Sequence, residues 1–247
     1  MHKTFQVDIV IDAGNSGAKI ALFEQGALKE CLRTAELSVH ALKLLVEKHK
    51  VERGILSAVI NVPPDCLPYL QSALSRFLLF DAATKIPVSV DYRTPETLGR
   101  DRIAAAVGGA FLRAGENLLI IDAGTAITLD YVTASGRFKG GNISPGVQMR
   151  FDALHTFTAH LPLIETEGET PLLGFSTETA IRSGVIRGIC FEIEGYAEAL
   201  RAENGQLSVF LTGGDTFHFE KRLKIPIFAA PNLVLTGLYR ILLYNVE

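Results

Sequence analysis

The sequence has few cysteines, no long apolar run and no run of basic residues, and each absence excludes a class of protein. Its three cysteines, Cys31, Cys66 and Cys190, are odd in number and lack Cys-x-x-Cys spacing, which argues against a disulfide scaffold and a structural zinc site. No segment approaches the ~20 continuous apolar residues of a membrane span, and residues 1–12 contain no stretch typical of a signal peptide. We therefore expect a cytoplasmic protein with reduced, buried thiols and no membrane partner.

The charge balance argues against another class of partner. A net charge of −3 and an isoelectric point near 6.1 leave no bulk basic field for nucleic-acid binding, so no nucleic-acid partner is expected. With 247 residues, of which 48% are hydrophobic and 21% charged, the chain can form one large domain or two small lobes with a well-filled core.

Two short segments 110 positions apart have nearly the same sequence. Asp12–Ser16 reads Asp-Ala-Gly-Asn-Ser after an apolar run, and Asp122–Ala126 reads Asp-Ala-Gly-Thr-Ala after another. A carboxylate at the end of a buried strand, followed by a glycine that lets backbone approach an oxyanion and then by an amide or hydroxyl, forms a clamp for a polyphosphate. One copy alone is equally compatible with an ordinary strand-ending turn. The recurrence favours a duplicated phosphate-binding unit.

Each acidic turn is followed by a second strand-like run, at 18–23 and 127–132. A Walker or Rossmann loop would need a helix there and a different glycine spacing. Because a carboxylate cannot bind a phosphate oxygen directly, two such acids facing a triphosphate imply a bridging cation. Hydrated Mg²⁺ is the expected ion, since one or two carboxylates commonly hold it together with substrate phosphates.

Hydrophobic periodicity predicts the same order of elements in both halves of the chain. The first half is expected to contain strands at about 6–12, 18–24, 27–33, 54–62 and 87–91, and helices at about 38–49, 66–78 and 101–113. The second half is expected to contain strands near 117–122, 126–133, 136–141, 207–212 and 226–229, and helices at about 178–203, 216–222 and from 232 onward.

This order predicts an α/β architecture of two lobes, residues 1–114 and 115–247. Each lobe should have a mixed β-sheet flanked by helices, with the ligand cleft between the lobes. On the long helix, four apolar positions fit a core better than an interface: Ile181, Val185, Ile189 and Ile193.

Between the two acidic turns lies Gly99-Arg100-Asp101-Arg102, immediately before an alanine-rich helix. A carboxylate there can simply cap the helix. An acid flanked by two arginines would, however, be held ionised, and it could take a proton from a substrate alcohol while an arginine grips a substrate carboxylate. Both readings are open at this point.

Two glycine-rich clusters follow. Residues 140–146 read Gly-Gly-Asn-Ile-Ser-Pro-Gly and start the next helix, and residues 211–215 read Leu-Thr-Gly-Gly-Asp at the end of a strand. Each alone is more typical of a turn than of a site. The order of all four clusters is what is specific.

In that order the clusters resemble the motifs of the actin-like kinase superfamily and, within it, of the type III pantothenate kinases. The resemblance covers almost the whole chain: 12–16 and 122–128 are similar to the two phosphate motifs, 99–102 to the Gly-x-Asp-Arg motif, and 140–146 and 212–214 to the remaining signatures. It implies two duplicated ribonuclease-H-like lobes. It also implies phosphorylation of the primary hydroxyl of pantothenate by ATP to 4'-phosphopantothenate, the first step of coenzyme A biosynthesis.

The resemblance also assigns roles to residues. It makes Asp101 the base, with Tyr92, Gly99, Arg100 and Arg102 around the pantothenate, and it makes the protein a homodimer whose Thr177 reaches the partner's substrate pocket. Asp122 would hold a monovalent cation, K⁺ or NH₄⁺, and Asp12 would hold Mg²⁺ through water. The implied ATP-binding residues are Asp12, Ala13, Gly14, Asn15, Ser16, Gly17, Ala18, Lys19, Thr125, Gly213 and Gly214.

Two other functions are alternatives at this stage. A sugar or acetate kinase of the same superfamily would share the acidic turns but would not be expected to carry 99–102 and 140–146 in this order. A nucleotide-binding regulator that has lost the chemistry is the second, since some relatives were first described as accessory factors for gene expression. The intact acids at 12, 101 and 122 argue against it.

Overall fold

The computed structural model describes residues 6–246, which form two compact units. The first unit runs to Leu112 and takes up the chain again at Leu233, and the second spans Arg113–Asn232. None of the helices within 6–246 is both long enough and apolar enough to cross a membrane.

The structure contains strands and helices in the following order. The strands are β1 (Val7–Gly14), β2 (Gly17–Glu24), β3 (Ala27–Thr34), β4 (Arg53–Ala58), β5 (Arg76–Leu79), β6 (Ser89–Val90), β7 (Leu118–Ala123), β8 (Ala126–Val132), β9 (Arg137–Pro145), β10 (Ser208–Thr212) and β11 (Phe228–Ala229). The helices are α1 (Val39–His49), α2 (Cys66–Ala73), α3 (Arg100–Leu112), α4 (Val147–Thr156), α5 (Thr177–Asn204) and α6 (Leu233–Val246).

The same arrangement of five strands occurs in both units. In the first, the order is β3-β2-β1-β4-β5, with β1, β2 and β3 antiparallel and with β4 and β5 parallel to β1. In the second, β9, β8, β7, β10 and β11 follow one another with the same directions. This duplication confirms the expected α/β fold of two lobes with mixed sheets. The central strands β1 and β7 are buried on both faces, which explains their near-continuous apolar sequences.

The two faces of β1 contact different helices. Ile9, Ile11 and Ala13 belong to a core cluster with residues of α1 and α2. On the opposite face α6 packs against the sheet, and Tyr239 stacks on Phe23 of β2 with ring centroids 4.2 Å apart. The acids of β1 lie on this second face because side chains alternate along a strand.

In the second unit α4 and α5 cover one face of the sheet. The four apolar α5 positions singled out from the sequence, Ile181, Val185, Ile189 and Ile193, are all part of this core. Cys66 and Cys190 are buried as expected, whereas Cys31 is exposed because it lies on the edge strand β3, and none of the three is in a disulfide within residues 6–246.

The last helix groups with the first unit, whereas the sequence analysis placed it in the second lobe. It packs along α3 so closely that a Cβ on Gly237 would lie 1.7 Å from the Ala104 carbonyl oxygen and one on Gly108 would lie 2.4 Å from that of Leu233. Only glycine allows such backbone contact. Chain order alone does not show that α6 returns to the first unit.

Smaller differences concern element ends. The expected helix at 66–78 stops at Ala73, and the apolar residues that follow form the parallel strand β5. The strand expected at 54–62 ends at Ala58, and the helix expected at 216–222 is a single 3₁₀ turn over Thr216–His218. A short apolar run has no periodicity that separates a strand from a helix.

Candidate active site

The first acidic turn is the hairpin between β1 and β2. Asp12 is half-buried and pairs with Lys19 on β2 and with Ser57 on β4. Gly14 and Gly17 are the last pair of the ladder, so Asn15 and Ser16 form the exposed tip. Gly17 has φ +119°, and a Cβ there would lie 2.5 Å from the Thr34 carbonyl oxygen, so this position requires glycine.

The second acidic turn repeats this arrangement between β7 and β8. Asp122 is half-buried and pairs with Thr128 on β8 and with Thr212 on β10. Thr125 is exposed at the turn, and the Gly124 N–H donates to the Ala126 carbonyl at 3.1 Å. The likeness of the two segments therefore extends to strand partners and burial.

Both glycine-rich clusters contact this second turn. The Gly146 N–H donates to the Thr125 carbonyl at 3.0 Å, and a Cβ on Gly146 would lie 2.2 Å from the Gly124 carbonyl oxygen. Gly213 has φ +102°, and a Cβ there would lie 2.2 Å from the Ala123 carbonyl oxygen. Three motifs that are separated by up to about ninety positions in the sequence thus meet around the Asp122 turn.

The loop after β10 continues this contact. The Asp215 N–H donates to the Ala123 carbonyl at 2.9 Å, which fixes Gly213 and Gly214 beside the turn. Burial raises the pKa of the Asp215 carboxyl above its ordinary value, and burial lowers that of nearby His218, while the opposite charges of the two groups partly offset both shifts. The loop is held by backbone contacts and leaves Gly214 exposed.

One residue of this region was not identified from the sequence. Arg150 of α4 donates to the Pro145 carbonyl at 2.8 Å and to the Ser144 hydroxyl at 3.2 Å, and it pairs with Glu192 of α5 at 2.6 Å. It therefore supports the segment that touches the Asp122 turn. Nothing in its sequence spacing indicates this role, because Glu192 lies 42 residues away.

The Gly-x-Asp-Arg motif forms the first turn of α3 in the first unit. The Asp101 Oδ1 atom accepts the Arg102 N–H at 2.9 Å, and a Cβ on Gly99 would lie 2.4 Å from the same oxygen. Arg102 is 7% exposed, and its guanidinium lies 6.0 Å from the ring centroid of Tyr92. The guanidinium of Arg100 lies 5.8 Å from the ring of Phe80. The structure therefore brings Tyr92, Gly99, Asp101 and Arg102 into one cluster.

Thr177 belongs to the second unit and is the first residue of α5. Ser176 and Thr179 form a capping box, with the Ser176 hydroxyl accepting the Thr179 N–H at 3.2 Å, so the helix start is well defined and Thr177 is exposed. Beside it lies a largely apolar cavity of about 720 Å³, lined on the α5 side by Thr177, Ala180, Ile181, Gly184 and Val185.

The donor atoms at the acidic turns suit hard cations. Asp12 and Asp122 each place a half-buried carboxylate at the carboxyl end of a central strand, next to a hydroxyl-bearing residue on the parallel neighbour. Carboxylate, hydroxyl and turn carbonyl oxygens are the ligands that Mg²⁺ prefers. Both positions therefore fit the expected ions.

The duplicated sheets and paired acidic turns define a protein with the actin-like fold. Its structure resembles that of a glucokinase from an Antarctic psychrotroph with a TM-score of 0.57 over 97% of this chain and 99% of that one, at 11% identity. A Baf-family protein from Campylobacter jejuni, described as a transcriptional activator, gives a TM-score of 0.60 over 96% of this chain and 98% of that one, at 22% identity. At such identities the likeness concerns the fold.

Sequence comparison identifies the family. Residues 8–199 match the family model of the type III pantothenate kinases. A type III pantothenate kinase from Phocaeicola vulgatus is 46% identical over 239 residues, which cover 97% of this chain and 99% of that relative. The chain belongs to the type III pantothenate kinase family.

Proposed function

We propose that the protein transfers the γ-phosphoryl group of ATP to the primary hydroxyl of pantothenate, which gives 4'-phosphopantothenate in the first step of coenzyme A biosynthesis. The observation that carries this proposal is the cluster at the start of α3, in a chain that belongs to a family of pantothenate kinases. The three cysteines form no disulfide within residues 6–246, which fits a cytoplasmic location.

The residues of the cluster at the start of α3 have different roles toward pantothenate. Asp101 takes the proton of the pantothenate hydroxyl while the hydroxyl oxygen forms a bond to the γ-phosphorus of ATP. The bond between the γ-phosphorus and the bridging oxygen breaks, and ADP leaves. Arg102 and Arg100 bind the pantothenate carboxylate, and burial of Arg102 fixes the orientation of its guanidinium. Tyr92 and Gly99 line the same pocket, Tyr92 through its contact with Arg102.

The acidic turns and glycine loops bind the nucleotide. The first turn contributes its carboxylate and exposed tip, and the second contributes Thr125 together with Gly213 and Gly214. Asp12 would hold Mg²⁺ through water, and Asp122 would hold a monovalent cation. Bound Mg²⁺ neutralises charge on the β- and γ-phosphates. On the first hairpin, the residues that bind the nucleotide are Asp12, Ala13, Gly14, Asn15, Ser16, Gly17, Ala18 and Lys19.

The first experiment measures ADP release by the purified protein with Mg²⁺ and ATP, with and without pantothenate, in potassium and in sodium buffer. We expect turnover only with pantothenate and faster turnover in potassium, and Asp122→Asn should remove the difference between the buffers. A folded protein whose melting temperature rises with ATP but which releases no ADP would contradict the proposal and favour a nucleotide-binding regulator.

A homodimer is supported by the segment between α4 and α5. Arginines of the second unit hold its backbone: Arg182 donates to the Glu165 carbonyl at 3.0 Å and Arg187 to the Thr170 carbonyl at 2.6 Å. Five of its large apolar side chains are nevertheless 52–85% exposed, namely Phe157, Leu163, Leu172, Leu173 and Phe175. An apolar surface on a fixed segment next to Thr177 is typical of a protein interface. We propose that a second copy of the chain covers it.

Replacing Leu173 and Phe175 with serine should weaken the dimer and raise the KM for pantothenate in parallel, because Thr177 would then no longer reach the partner's substrate. If both side chains are interface anchors, each substitution should weaken the association of the dimer by at least about 2 kcal/mol, or roughly 30-fold in affinity. Sedimentation velocity measures the fraction of the protein that is dimeric. Leu44→Ser removes another exposed leucine, on α1, and should change neither quantity. A variant that is monomeric with an unchanged KM for pantothenate would contradict the role of Thr177.

A further inference from the structure

Within residues 6–246, three buried side-chain atoms of the first unit make no hydrogen bond: the Ser57 hydroxyl, His49 Nε2 and Arg240 Nε. Ser57 lies near the end of β4 and is 0% exposed, yet its Oγ makes no hydrogen bond with any of the residues 6–246. A buried hydroxyl without a partner costs free energy, so such a group calls for an explanation. No motif in the sequence indicates a role for this residue.

Strand register places Ser57 beside Asp12. The two residues are partners in the parallel pairing of β1 with β4. Four positions earlier in the same register, Arg53 and Asp8 form a two-pronged ion pair with N–O distances of 2.8 and 2.7 Å, so the even-numbered residues of β1 share a face with the odd-numbered residues of β4. Ser57 and Asp12 therefore lie side by side on one face, at the carboxyl ends of two parallel strands. That is where α/β sheets bind ligands.

The second unit has the same arrangement. Thr212 of β10 pairs in parallel with Asp122 of β7 and is 1% exposed. The acid of each acidic turn thus has a buried hydroxyl residue beside it on the next strand. A residue placed only to fill the core would not need a hydroxyl at both positions.

We propose that Ser57 is a positioning residue of the magnesium–nucleotide site, an inference that rests on the function proposed above. Its hydroxyl hydrogen-bonds the water shell that Asp12 holds on the metal. The free-energy cost of the unpaired buried hydroxyl is then present only in the nucleotide-free protein. It is offset when magnesium and nucleotide bind, because the hydroxyl then has a hydrogen-bond partner. Polar partners of this kind orient the groups that hold a metal.

Two serines make a matched pair for the test. The Ser183 Oγ on α5 is also buried and makes no hydrogen bond within 6–246, but the residue belongs to the core of the second unit and pairs with no acidic turn. Ser57→Ala and Ser183→Ala should each raise the melting temperature of the nucleotide-free protein by about 2 to 4 °C, because each removes an unpaired buried hydroxyl.

Only Ser57→Ala should weaken nucleotide binding. Its half-saturating concentration of magnesium–ADP, read from the thermal shift, and its KM for magnesium–ATP should rise about 10- to 100-fold, while the KM for pantothenate and the binding of ADP in EDTA stay as in the wild type. Ser57→Cys keeps the volume and weakens the donor, and it should change the same quantities in the same direction.

Three results would overturn the inference. These are wild-type affinity of Ser57→Ala for magnesium–ADP, an equal loss in Ser183→Ala, and a loss of the same size in EDTA, which would place the hydroxyl on the nucleotide rather than on the metal's water. Failure of the proposed function is distinguishable, because it would show as absence of pantothenate-dependent ADP release by the wild-type protein in the same assay.

Discussion

Asp101→Asn should lower the turnover of pantothenate by roughly 100- to 10,000-fold, the usual contribution of a positioned general base. The amide oxygen of Asn can still accept the Arg102 N–H that Asp101 Oδ1 accepts at 2.9 Å, so the first turn of α3 should keep its shape. Only the basicity is lost. The measurement is kcat in the coupled ADP assay at saturating ATP and pantothenate.

Asp65→Asn is the matched control for this change. Asp65 is an exposed acid at the start of α2 in the same unit, and its side chain makes no capping hydrogen bond. Its variant should retain wild-type kcat, and both variants should retain the wild-type melting temperature and nucleotide-induced thermal shift. A folded Asp101→Asn with wild-type turnover would leave Asp101 with the structural role alone, as a carboxylate that accepts a backbone N–H at a helix start.

Local patterns were sufficient for the framework of the molecule. The repeat of strand, acidic turn and strand predicted both β-hairpins, because glycine and aspartate at a strand end have few other structural uses. The long helix was predicted from 178 to 203 and is observed over Thr177–Asn204. Its four apolar positions on one stripe are buried, as the 3.6-residue period requires.

What depends on contacts between distant segments could not be predicted in this way. Nothing in the local sequence of Gly146 or Gly213 shows that each lies against the turn after Asp122. The return of α6 to the first unit depends on the close contact of Gly237 with α3. The residues next to an isolated helical glycine in the sequence do not indicate which segment it will contact. The order of the motifs in the sequence carried the resemblance to a family, and the structure supplies the reason they need glycine.

Ser57 shows the same limit at the scale of one side chain. Its position in the sequence is that of an ordinary small residue near the end of a strand, and its relation to Asp12 exists only through the register of β1 and β4. No hairpin sets that register, since β2, β3 and α1 lie between β1 and β4 in the chain. A slip of one residue would move Ser57 to the other face of the sheet.

Arg53→Ala should lower the free energy of unfolding by about 3 to 5 kcal/mol, because it leaves the carboxylate of Asp8 buried and uncompensated. Asp8 has only 3% of its side chain exposed, and both of its oxygens accept from Arg53, at 2.8 and 2.7 Å. Urea unfolding followed by far-UV circular dichroism measures the change. The pair joins β1 to β4, so the variant should also weaken magnesium–ADP binding through the displaced Ser57.

The loss in the free energy of unfolding of Arg53→Ala should come from the unpaired charge of Asp8 and not from the loss of an ion pair as such. Lys29→Ala breaks the Lys29–Glu24 pair at 2.9 Å in the same sheet, but that pair is 42% and 31% exposed, so the expected loss is below about 1 kcal/mol. Replacing both buried partners, with Asp8→Val and Arg53→Met together, should recover most of the stability, since apolar groups of similar volume often match a buried ion pair. If the double variant is as unstable as Arg53→Ala, the pair contributes strand register that apolar packing cannot replace, and the loss of magnesium–ADP binding should then persist as well.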